Sequence, residues 1–173
     1  MNFEEQRWFT LPLVESLQPH ARGKNKAGRE EAVQQFNLLL RGEISATEIY
    51  RMGIDKLIKD GQAQSRVAML REIQREHLRA AQIFRKRISE LGGICEETSG
   101  NWGNKVAMGA AQLFGDGAAL HALRDGEEHA LKEMGASLEH LDADSAELVE
   151  KAMMPAQAKH IRRITSLMEL ING

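Results

Sequence analysis

Four stretches of this chain carry apolar residues at alternating steps of three and four, the spacing of a helix that buries one face. Over residues 29–59 the stripe reads Phe36, Leu40, position 43, Thr47, Tyr50, Ile54 and Leu57. Over 63–91 it reads Val67, Leu70, positions 74 and 77, Ala81, Phe84, Ile88 and Leu91. Over 118–140 it reads Leu120, Leu123, position 127, Ala130, Met134 and Leu138, with Leu141 just beyond. Over 146–171 it reads Val149, Met153, positions 157 and 160, Ile164, Leu167 and Ile171. Four such stripes can be buried together only by packing the helices side by side. The spacing predicts an all-α, antiparallel four-helix bundle.

The punctuation between the stripes agrees. Gly61 should end the first helix, and Gly92 with Gly93 the second. The turn over residues 142–145 offers Asp144 or Ser145 as a cap for the fourth helix. Pro155 is expected to kink that helix just before position 157. Residues 92–117 form a long connection, with an irregular loop at 98–104 anchored by Trp102 and a short apolar helix at 105–114. That length suits a crossover between helices two and three rather than a tight hairpin. The bundle is assigned to residues 29–173. Residues 1–28 are an extension whose Phe9, Leu11, Leu13, Val14 and Leu17 could lie on a bundle face or on a partner.

Composition narrows the function classes. The formal net charge is −2, and the basic residues of 75–87 are interrupted by Glu76 and by apolar positions, so no nucleic acid partner is expected. No run approaches the roughly 18–20 apolar residues of a membrane span, and no membrane partner is expected. The start of the chain has neither the basic residues nor the apolar core of a signal peptide. The single cysteine, Cys95, excludes an intramolecular disulfide and a cysteine-based zinc cluster. The expectation is a soluble cytoplasmic protein, with mostly apolar helix faces that make a homodimer plausible.

Six stripe positions hold polar residues: Glu43, Gln74, His77, Glu127, Gln157 and His160. Burying a carboxylate or an imidazole is costly unless it is paired, hydrogen-bonded or metal-bound. Every helix carries at least one of the six. Their heights also match. Glu43 lies 18 residues before Gly61 and His77 lies 16 after it; Glu127 lies 16 before Ala143 and His160 lies 17 after it. At about 1.5 Å per residue, each Glu falls within roughly 3 Å of its His along the bundle axis. Gln74 to His77 and Gln157 to His160 repeat one Gln-x-x-His spacing, which suggests a duplicated site.

At these residues the chain resembles the carboxylate-bridged metalloproteins of the ferritin-like superfamily. Those proteins use one Glu from each of two helices and Glu-x-x-His from the other two. The likeness to rubrerythrin runs through Gly42, Glu43, Ala46 and Tyr50, through Gln74-Arg-Glu-His77, through Gly126, Glu127 and Met134, and through Gln157-Ala-Lys-His160. Residues 35–171 are also similar to a bacterial ferritin-like family of unknown function, by the Gly42–Tyr50 pattern, Ser99-Gly-Asn-Trp-Gly103, Gly126-Glu-Glu-His129 and the 155–160 motif. Both bridging Glu of rubrerythrin are Gln here, and a neutral amide is a poor bridge between two cations. Ala130 stands where rubrerythrin has an additional ligand.

The resemblance thus implies a ferritin-like metal-binding protein with Glu43, His77, Glu127 and His160 as ligands. Gln74, Gln157 and Tyr50 would hydrogen-bond around them. The ion expected is Fe or Mn, or else Zn, with one or two ions left open. Iron or manganese there would allow oxidase or peroxidase-type chemistry. The competing expectation is a structural or stress-associated bundle in which the same residues form a metal-free buried polar network. Tyr50 reads as a core aromatic with a satisfied hydroxyl. Glu48, Glu76, Glu128 and Glu133 read as helix-surface charges, and His20, His121, His129 and His140 as surface residues.

Overall fold

The structure is a computed structural model that describes residues 26–98 and 116–172. Among these residues it is all-helical, with four helical columns and no strand. Helix α1 spans Lys26–Lys59 and α2 spans Gln64–Glu90. Helix α3 spans Asp116–Ser137 and runs into a 3₁₀ turn at Leu138–His140. The last column is α4 (Ala143–Leu148), a π-helical turn (Val149–Met153) and α5 (Met154–Asn172). α1 packs along α2 and α3 along α5, while α1 also meets α3 and α2 also meets α5. No helix is long and apolar enough to cross a membrane among the described residues. The expected extension at 1–28 falls almost wholly outside the described residues, and so do the loop beyond Thr98, the short helix at 105–114 and Trp102.

The helix ends follow from local chemistry. Gly61 takes φ 67°, and Gln62 N–H reaches back to the Leu57 carbonyl at 2.9 Å. Gly92 repeats the motif with φ 78°, and Gly93 N–H donates to the Ile88 carbonyl at 2.9 Å. A residue with a β-carbon resists this left-handed geometry, so glycine is the natural stop. Gly93 has a second constraint: a β-carbon there would lie 2.5 Å from Val33 Cγ1 and 2.6 Å from Cγ2. Just beyond it, Asn37 pins the outgoing chain, donating to the Ile94 carbonyl at 3.0 Å and accepting from Glu96 N–H at 2.8 Å.

Two expectations about the last column are corrected. The cap is Asp142, not Asp144 or Ser145; its carboxylate accepts from Ser145 N–H at 3.2 Å and Ser145 Oγ at 2.7 Å. Arg87 Nη2 holds the same carboxylate at 3.1 Å, which fixes it at the helix start. The irregularity linked to Pro155 comes earlier, as the π turn over Val149–Met153, with Pro155 in the first turn of α5. Ser145, Val149, Met153 and Gln157 are all buried at steps of four. Three turns of α-helix take up only about 10.8 residues. The π turn absorbs the extra residue and returns Gln157 and His160 to the inner face.

The core lies in three layers. Near the α1–α2 turn, all four columns contribute to one apolar cluster, including Ile54, Leu70, Leu123 and Ile164. At the opposite end a second cluster gathers Phe36, Phe84, Ile88, Met134 and Val149. Between them sits a layer of buried polar residues: Glu43, Glu76, His77, Glu127, Gln157 and His160.

Candidate metal centre

Glu127 is the hub of this layer. It is 3% exposed, and its Oε1 accepts from the Tyr50 hydroxyl and meets His77 Nε2 at 3.0 Å. Its Oε2 accepts from Gln157 Nε2, which also donates to the Glu127 backbone carbonyl at 3.2 Å. The same Oε2 lies 3.4 Å from His160 Nδ1, close enough for charge attraction. The alignment is not that of a hydrogen bond, and His160 Nδ1 is a buried nitrogen with no hydrogen-bond partner among the described residues.

Each imidazole is held from behind by its own carboxylate. His77 Nδ1 lies 2.7 Å from Glu43 Oε2, and His160 Nε2 lies 2.6 Å from Glu76 Oε2. Both histidines therefore turn their other nitrogen toward Glu127. The two rings pack at 4.8 Å between centroids with their planes tilted by 58°, and the Tyr50 ring lies 5.2 Å from His77. Glu76 is steadied in turn from α5, by Arg163 Nη1 at 3.4 Å and Lys159 Nζ at 3.9 Å.

The electrostatics follow from this geometry. Burial pulls the His77 imidazole down, but Glu127 and Glu43 outweigh it and raise it to about 10. The geometry says the same, since both ring nitrogens face carboxylates and an ionised carboxylate only accepts. Burial also opposes charge on Glu127, yet His77 and His160 hold it well below the ordinary carboxylate range. His160 is raised because Glu127 and Glu76 overcome its burial, and Glu76 is lowered because His160 overcomes its own. Burial, followed by the Glu127 charge, lifts the Tyr50 hydroxyl well above its usual value, so it remains a donor.

The structure thus gathers Glu43, His77, Glu127 and His160 into one layer, as their spacing predicts. Their roles differ. His77, Glu127 and His160 each offer a ligand atom within 4.8 Å of the other two, whereas Glu43 lies behind His77. Gln157 bonds the hub, but Gln74 faces away and donates to the Thr47 carbonyl at 3.0 Å. The reading of Glu76 as a surface charge is wrong: it is 6% exposed and belongs to the layer. The inner face of α2 passes through Ile73, which is fully buried, and Glu76 follows it by three residues. In the sequence its signal is Ile73, an apolar residue one position off the stripe through Gln74 and His77. Glu48, Glu128 and Glu133 are exposed, and the last two pair with Arg124 and His129 at i,i+4 spacing. His20 lies outside the described residues.

The donor set fits a divalent ion. Two imidazoles and one carboxylate are the protein ligands of many mononuclear Fe, Mn and Zn sites. Bonds of about 2.1 Å place adjacent ligand atoms roughly 3–3.4 Å apart. His77 Nε2 lies 3.0 Å from Glu127 Oε1 and His160 Nδ1 lies 3.4 Å from Oε2, and one ligand atom from each of the three residues lies within 4.8 Å of the other two, so a modest contraction around an ion would bring them to that spacing. A carboxylate on the far nitrogen of a ligating histidine is the usual support in metal sites, and both histidines have one. The chain matches no family model, no curated protein and no solved structure.

Proposed function

We propose that this chain is a ferritin-like metal-binding protein that holds one divalent ion, Fe, Mn or Zn, on His77, His160 and Glu127. The observation that carries the reading is the orientation of the two imidazoles. Glu43 and Glu76 take their outer nitrogens, and the inner nitrogens converge on one carboxylate, one of them without a hydrogen bond. Bound iron or manganese would supply oxygen or peroxide chemistry, and zinc a Lewis acid. Glu43 and Glu76 fix the rings and make them better donors, Tyr50 and Gln157 orient Glu127, and the two apolar clusters close the layer off along the bundle axis.

Charge balance supports the exchange. Three carboxylates with two imidazoliums leave the layer one negative charge. A divalent ion with two neutral imidazoles leaves the same. Loading can therefore replace two protons without altering the buried charge.

The test is elemental analysis of protein purified anaerobically after iron and manganese supplementation, beside a His77→Ala/His160→Ala double variant. About one ion per chain in the wild type and none in the variant is the expected result. A second reading, a metal-free structural network, is favoured by one observation: apart from His160 Nδ1, the histidine and carboxylate atoms that face one another are already paired. An absence of metal from both proteins would select it.

A further inference from the structure

A cleft of about 550 Å³ opens between α1 and α3 and ends on the polar layer. Its volume lies within the range of about 300–1,000 Å³ found for small-molecule sites. Leu38, Leu39, Ile49, Leu123 and Met134 give it apolar walls, and Glu43, Tyr50, His77, Glu127 and Gln157 form its floor. His160 and Glu76 do not line it, so the cleft approaches the layer from one side only.

Two observations separate this cleft from an accidental gap. Ser45 lines it, is 1% exposed, and leaves its Oγ without a hydrogen-bond partner among the described residues. Gly42 also lines it, in mid-helix, and a β-carbon there would meet nothing within 4 Å among the described residues. Its φ is not positive, so neither backbone conformation nor close packing calls for glycine. What its missing side chain provides is space in the cleft.

From this we infer that the cleft binds a small molecule with an apolar body and a hydroxyl head. Only Oε2 of Glu43 is engaged among the described residues, which leaves its other oxygen to accept a proton donor. Glu43 and Ser45 flank the cleft from either side of the same helix, so a hydroxyl head has an acceptor in the one and a donor in the other. A carboxylate head would meet the charges of Glu43 and Glu127. The site stands on cleft geometry and not on a bound metal, so it is tested on chelator-treated protein.

The experiment is a ligand-observed NMR titration with 4-ethylphenol, 1-heptanol, ethylbenzene and 4-ethylbenzoate. A hydroxylated probe should bind the wild type at least about tenfold more tightly than ethylbenzene or 4-ethylbenzoate, since a buried acceptor left unmet is penalised. Comparison of the two hydroxylated probes separates an aromatic from an aliphatic body. Gly42→Leu should weaken that binding at least about tenfold while the melting temperature holds or rises, because leucine fills the cleft and favours helix. Ala130→Leu, which reaches the cleft from α3, should do the same and serves if Gly42→Leu fails to fold. Absence of binding to the wild type, equal binding of the four probes, or undiminished binding to both variants would overturn the inference. Metal content is read separately, so failure here leaves the metal site untouched.

Discussion

At the scale of single residues, the layer is held by charge that cannot be removed piecemeal. Glu127 receives His77, Tyr50 and Gln157 and faces His160. Glu127→Ala leaves the Tyr50 hydroxyl, the Gln157 amide and the inner nitrogen of His77 without their acceptor at once, and should cost about 3–5 kcal/mol in urea unfolding of metal-free protein. A loss under about 1 kcal/mol would mean that water reaches the layer. The pH dependence has a definite sign. His77 is raised from 6.5 to about 10, so its contribution is complete below pH 6.5 and is lost as pH climbs through 10. Glu127 is depressed from 4.5, so its contribution is complete above that value and is lost as pH falls through its folded value. Metal-free protein should melt highest between roughly pH 4.5 and 6.5 and progressively lower toward pH 10, as followed by circular dichroism. A melting temperature that rises from pH 7 to 10 would contradict the pairing. Metal loading should release about two protons, measured from calorimetric enthalpies in buffers of different ionisation heat. Release of none would place the ion elsewhere.

At the scale of the element, the last column shows what periodicity reveals and what it hides. The steps of four from Ser145 to Gln157 are visible in the sequence, and so is Pro155. Which residues take up the surplus turn is not, because that depends on the faces α5 must present to α2 and α3. The same limit explains Glu76. Gln74 and Ile73 both sit where α2 could turn inward, and only the packing selects Ile73 and with it Glu76. The cap is hidden for a related reason: Asp142, Asp144 and Ser145 are all competent, and Arg87 on a distant helix decides. A deletion tests the account of the π turn. Removing the exposed Lys151 should force regular α-helix through Pro155, at a cost of about 3 kcal/mol. Adding Pro155→Ala should recover most of that loss in the same unfolding assay. No recovery would show that proline is not the obstacle.

At the scale of the whole molecule, the four helices and the polar layer were legible because bundle geometry is nearly one-dimensional. Distance along a helix is set by residue count, so counting from Gly61 and Ala143 sufficed to bring Glu43, His77, Glu127 and His160 to one height. The division of labour within the layer was not legible. Whether Glu43 ligates or backs a histidine depends on side-chain rotation, and the two Gln-x-x-His segments, alike in sequence, place Gln74 and Gln157 differently. The cleft was invisible for the same reason, since an empty volume leaves no periodic trace.

The contact between Gly93 and Val33 has a consequence for inheritance. Two glycines, alike in a list of residues, should have opposite mutational fates. Alanine at Gly42 meets nothing among the described residues and should be accepted or enriched when only folding is selected. Alanine at Gly93 presses on both methyl groups of a β-branched side chain, at 2.5 and 2.6 Å, and Val33 cannot turn to clear both. A library selected for abundance should retain Gly93 and drift at Gly42. A library selected for whatever the cleft accommodates should retain both.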